Sequence, residues 1–118
     1  MLLVWLIAAP LTGGDSVFAQ ATVPVPLPQL DSALLHDAVA ISSDPLGRLY
    51  VIDAENDQLL QLSSDGLLLR KIGGYGWSEL SFDMPSDIST QNGLDVYVAD
   101  YGNHRIQRYD QHLNYVST

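Results

Sequence analysis

Two polar stretches hold the side chains best suited to acid–base or metal chemistry: Asp53-Ala54-Glu55-Asn56 and Asp100-Tyr101-Gly102-Asn103. Carboxylates and amides so closely spaced can ligate a hard cation or move a proton. The same residue types also build Asx turns, in which the side chain accepts hydrogen bonds from nearby backbone N–H groups. Because Asp and Asn recur at matching places, Asp53, Asn56, Asp100 and Asn103 are read as structural turn residues. A catalytic constellation is normally asymmetric, whereas a repeated turn is what a repeated fold requires.

Other side chains could recognise a ligand. His104 and Arg105, with Arg108 nearby, could bind an anion, although a long Arg stem also covers apolar surface. Tyr75, Trp77 and Phe82 follow or flank the glycine-rich Gly73-Gly74-Tyr75-Gly76 and could stack on a sugar or anchor a partner. The competing structural role for these three is packing between neighbouring elements. His36 and His112 lack a second ligand at metal-like spacing, which argues against zinc. The chain has no cysteine, which excludes a disulfide framework, a thiol nucleophile and a thiolate metal site. Gly73–Gly76 runs into Trp77 without a helix pattern, and no phosphate loop, dinucleotide fingerprint or Gly-x-Ser-x-Gly occurs. The sequence therefore assigns no catalytic residue and no cofactor.

The elements that must position these groups occupy 118 residues with 14 acidic and 5 basic side chains, a net charge of -9. That balance disfavours nucleic acid, whose phosphates recruit Lys and Arg, and an anionic membrane surface. Met1 to Leu11 is apolar and uncharged, and Val17-Phe18-Ala19-Gln20-Ala21 offers small residues for cleavage after Ala19 or Ala21. This pattern predicts a secretory signal peptide over residues 1–19, although no Lys or Arg precedes the apolar run. The run is too short to span a bilayer, and the processed chain is expected to be secreted or periplasmic in a bacterium. Loss of residues 1–19 removes Asp15 and leaves 13 acidic and 5 basic groups, a net of −8. Thr22 to Leu30 (TVPVPLPQL) places an extended Pro-rich linker or edge strand within residues 20–36.

From Ala38 onward short β-type runs alternate with Gly, Asn and Asp turn signals. Tyr50 and Tyr97 lie 47 residues apart, and at that offset Ile41 meets Ile88, Val51 meets Val98, Asp53 meets Asp100 and Asn56 meets Asn103. A strand-rich repeat of about 40–50 residues is the signature of a propeller blade with four strands. The predicted fold class is all-β: two four-stranded blades, residues 37–83 and 84–118, the second expected to be truncated at its C-terminus. Predicted strands are Ala38–Ser42, Arg48–Asp53, Gln58–Ser63 and Leu67–Ile72, then Ser86–Thr90, Asp95–Asp100, Arg105–Asp110 and Leu113–Ser117.

At Pro85-Ser86-Asp87-Ile88, Val96-Tyr97-Val98-Ala99-Asp100 and Asn103-His104-Arg105-Ile106-Gln107 the second repeat resembles the NHL repeat. The first repeat resembles it less closely, with Glu55-Asn56-Asp57-Gln58-Leu59 in place of the His and Arg. The resemblance extends over Leu35 to Thr118 and implies blades of a β-propeller, most often six-bladed. It also makes His104 the position that names the repeat. Because a ring needs about 4–8 blades, two repeats are expected to be the N-terminal part of an incomplete propeller. The remaining blades would come from further C-terminal sequence or from self-association. The expected function is an exported scaffold for a protein, peptide or glycan. One alternative is part of a metal-dependent lactonase- or lyase-like propeller, in which Asp87 at the start of an inner strand would be the metal candidate. The other is a truncated product without a function of its own.

Overall fold

The computed structural model describes residues 33–118, together with the strand residues Val4–Trp5 and Pro24–Val25. Most of the expected signal peptide and most of the Pro-rich stretch therefore lie outside the described residues. Within them, β1 (Val4–Trp5) pairs antiparallel with β2 (Pro24–Val25).

Among the described residues the rest of the chain forms two four-stranded antiparallel sheets with neighbours in sequence order. The first contains β3 (Ala38–Ser43), β4 (Leu49–Asp53), β5 (Gln58–Leu62) and β6 (Leu68–Gly73). The second contains β7 (Pro85–Ser89), β8 (Asp95–Asp100), β9 (Arg105–Asp110) and β10 (Tyr115–Ser117). A 3-10 turn, Tyr101–Asn103, interrupts the second sheet between β8 and β9. The all-β, two-blade architecture follows from strand chemistry: the central strands are rich in β-branched and aromatic residues, which suit a pleated surface. Tight connections fall where a backbone with positive φ is available. Gly66 (φ 90°) and Gly93 (φ 71°) close hairpins by donating to the carbonyls of Ser63 and Thr90. In the second sheet Leu113 (φ 62°) stands where the first has Gly66, and its fully buried side chain offsets the backbone strain.

The sheets pack face against face. Tyr50, Ile52, Leu59 and Ile72 from the first sheet meet Ile88, Val96, Val98, Tyr109 and Leu113 from the second, with Phe82 of the connecting segment wedged between them. Tyr109 meets Phe82 edge-on at a centroid distance of 6.1 Å and Tyr115 at 6.1 Å. On the opposite side of the first sheet Val51, Leu60 and Leu62 are covered by Leu34, Leu35 and Leu49. The outward side of the second sheet is different. Tyr97 and Ile106 are 38% and 60% exposed, yet they correspond across the repeat to Tyr50 and Leu59, which are 1% and 0% exposed.

Gly73 shows how closely the connection out of the first sheet is fitted. Its φ is 123°, and a Cβ there would lie 2.3 Å from the Asp57 carbonyl oxygen and 2.7 Å from the Gln58 Cα. Gly73→Ala should destabilise the chain by about 1–3 kcal/mol, because backbone atoms cannot yield as a flexible side chain would. A urea midpoint indistinguishable from the parent chain would refute this.

Candidate functional site: a groove between the sheets

Each sheet is tied to the segment that enters it by one buried carboxylate at the end of its second strand. Asp53 Oδ1 accepts the Asp37 backbone N–H at 3.0 Å, and Oδ2 accepts the His36 N–H at 3.1 Å and Asn56 Nδ2 at 2.8 Å. Asp100 repeats the device: Oδ1 accepts the Asp83 N–H at 2.7 Å, and Oδ2 accepts Asn103 Nδ2 at 2.8 Å and Arg105 Nε at 2.7 Å. The bonds from the backbone N–H groups of His36, Asp37 and Asp83 reach back 16 or 17 residues to the entering segment, further than a local turn cap. They set where His36, Asp37 and Asp83 stand.

Burial opposes the charge on Asp53, but hydrogen bonds from Asn56 and from the Asp37 and His36 N–H groups outweigh it and hold its pKa below the usual carboxylate value. Asp44 behaves alike: burial opposes its charge, and Arg48 and Tyr50 outweigh it. A depressed folded pKa contributes stability above the unfolded value of about 3.9, and that stability is lost as pH falls through the folded pKa. The urea midpoint should therefore decline steadily from about pH 5 downward. Asp53→Asn should lower stability at neutral pH and flatten that decline, and an unchanged slope would show that Asp53 does not contribute to it.

The ligand-binding candidates separate. Arg105 is drawn inward: beyond Asp100 it donates to the carbonyls of Trp77 at 2.9 Å, Ser78 at 2.9 Å and Ser81 at 3.0 Å. Its guanidinium thereby orders the segment between the sheets, and its carbon lies 5.2 Å from the Trp77 ring centroid. Phe82 is fully buried in the core, whereas Tyr75 and Trp77 are 79% and 71% exposed, so the three aromatics do not form one patch. His104 is exposed in the left-handed conformation (φ 52°), edge-on to Tyr101 with centroids 6.4 Å apart. Asp87 is exposed on β7, and its carboxylate accepts the N–H of Ile88 at 2.8 Å. No cluster of three or more His, Asp or Glu side chains arranged to hold a metal occurs among the described residues.

A groove of about 700 Å³ opens where β3 and β7 begin. His36, Asp37, Val39 and Glu55 form its wall on the first sheet, and Met84, Ser86 and Tyr101 face them from the second. The side chains come together because both entering segments are clamped, by Asp53 on one side and Asp100 on the other. Asn56 Nδ2 lies 2.6 Å from His36 Nδ1 and so fixes the imidazole at the rim. Met84 takes a left-handed backbone (φ 47°), unusual for a long side chain, and its N–H donates to Asp57 Oδ1 at 2.7 Å. Met84, Tyr101, Asp37 and Glu55 escaped selection from the sequence. Tyr101 and Glu55 sit inside the turns already noted, but nothing local marks Met84, whose conformation depends on a carboxylate 27 residues away.

Comparison with known proteins places the second sheet. Residues 82–109 match the NHL repeat model, from Phe82 through β9. Human NHL repeat-containing protein 3 is 34% identical over 68 residues, which is 55% of this chain and 20% of that protein. The mouse protein of the same name is 32% identical over 71 residues, 58% of this chain and 20% of the mouse protein. Chicken NHL repeat-containing protein 2 is 32% identical over 78 residues, 60% of this chain and 11% of that protein. The chain thus spans a fifth or less of the length of these curated relatives.

Proposed function

We propose that the two sheets are NHL-type blades of an exported propeller scaffold and that the groove between them recognises a peptide segment of a protein partner. The observation that carries this reading is the groove itself. It is large enough for a peptide side chain with its flanking backbone, and exposed Met84, Tyr101 and Val39 line it. Thioether and aromatic groups adapt to irregular apolar surfaces, which suits recognition and offers no chemistry of its own. The correspondence of exposed Tyr97 and Ile106 with buried Tyr50 and Leu59 supports a further blade against the second sheet, as in a six-bladed ring.

Display selection of random peptides against the full chain tests the binding reading. Enriched peptides should bind the parent chain and lose affinity on Tyr101→Ala. Failure to enrich any peptide, or binding indifferent to Tyr101, would refute it. Export is tested separately by fusing residues 1–21 to a secreted-reporter enzyme. Cleavage after Ala19 or Ala21, read by mass spectrometry, is expected, and an uncleaved product retained in the cytoplasm would refute it.

A further inference from the structure

The groove has walls of different chemistry, and that difference selects among peptides. On the first-sheet wall Asp37 and Glu55 are exposed, and among the described residues neither carboxylate has a salt bridge or a side-chain hydrogen bond within the chain. None of the chain's Lys and Arg side chains lines the groove. Arg48 pairs with Asp44, Arg105 with Asp100 and Arg108 with Asp95, while Arg70 reaches the Asn114 side chain. Lys71 lies on β6, the outermost strand of the first sheet. The facing wall supplies the Met84 thioether and the Tyr101 ring. A slot with carboxylates on one side and a thioether and an aromatic face on the other is complementary to a long side chain with an aliphatic stem and a cationic head. The stem would lie along Met84 and the head would sit between the carboxylates and the tyrosine face.

Resting on the peptide-scaffold reading above, we infer that this groove takes a lysine or arginine side chain of a basic peptide segment in a partner protein. The charge of the whole chain supports this choice: at -9 it attracts cationic segments at long range and repels acidic ones, and the groove adds the specific contact.

Fluorescein-labelled tetra-arginine and tetra-glutamine peptides, titrated against the full chain by anisotropy at low ionic strength, provide the test. The variant Asp37→Asn/Glu55→Gln removes the two groove charges, and Asp65→Asn/Glu79→Gln removes two charges elsewhere. Among the described residues neither Asp37 nor Glu55 bonds through its carboxylate, so the groove variant should melt as the parent does. Tetra-arginine should bind better than tetra-glutamine and lose about fivefold in affinity in the groove variant, the scale of two exposed ion pairs, but less than twofold in the control. Tyr101→Ala should cost a further loss of about threefold. Equal losses in the two double variants would mean diffuse attraction to an acidic surface and would overturn the inference, as would equal binding of the two peptides. If display instead yields non-basic peptides that depend on Tyr101, the basic-side-chain inference fails while the scaffold reading stands.

Discussion

Asp100→Ala should destabilise the chain by about 3–5 kcal/mol, because it leaves the largely buried Arg105 guanidinium without its counter-charge. The carboxylate is fully buried, and its three bonds join the second strand of its sheet, the turn that follows and the segment that enters. Removing it orphans the Asp83 N–H and Arg105 Nε and leaves Asn103 Nδ2 with only its bond to the Gly76 carbonyl, and the freed donors must then be desolvated without a partner. Arg105 in turn holds the carbonyls of Trp77, Ser78 and Ser81, so the connecting segment should loosen along with the blade. Chemical denaturation of the full chain measures the loss. Hydrogen exchange should show faster exchange at the amides of residues 77–83 before global unfolding. The double variant Asp100→Ala/Arg105→Met should recover part of the loss, since it removes the stranded charge as well. A loss below about 1 kcal/mol for Asp100→Ala would mean that the clamp contributes no more than an exposed turn cap.

Phe82→Ala should cost about 3–5 kcal/mol for a different reason. The ring is fully buried where the two sheets and their connection meet, edge-on to Tyr109. Truncation leaves a cavity beside Tyr109 in the core cluster shared by both sheets that the rigid strands cannot close, so transfer and cavity costs add. Phe82→Leu keeps much of the volume and should lose less than half as much. Because this contact joins the sheets, the urea m-value serves as a second readout. If the first sheet retains structure after the second melts, the transition broadens and m falls. Equal losses for the Ala and Leu variants would show that the site collapses around a smaller side chain and that the predicted cavity does not form.

How much of this was legible beforehand differs from element to element. The strands of both blades could be located to within about two residues, because alternation and turn glycines are local signals. The repeat relation of Tyr50 to Tyr97 and Asp53 to Asp100 was equally plain, being a matter of spacing. The aromatic trio was not. Tyr75, Trp77 and Phe82 lie within eight residues and look alike in sequence. The alternate turns of one short connection send Phe82 into the core and leave Tyr75 and Trp77 exposed. Arg105 resembles a ligand-binding cation in sequence, yet its hydrogen bonds to the preceding segment make it a structural one.

The amino-acid order by itself determined that this chain makes two antiparallel four-stranded sheets and where their turns fall, since each depends on residues a few positions apart. What the buried Asp53 and Asp100 hold, how Met84 is turned and the existence of a groove with acidic and apolar walls were decided by tertiary structure alone. The entering segments lie 16 or 17 residues from Asp53 and Asp100 and meet them only when the first two strands of each sheet pair, and Met84 reaches Asp57, 27 residues away, only once one sheet has packed against the other.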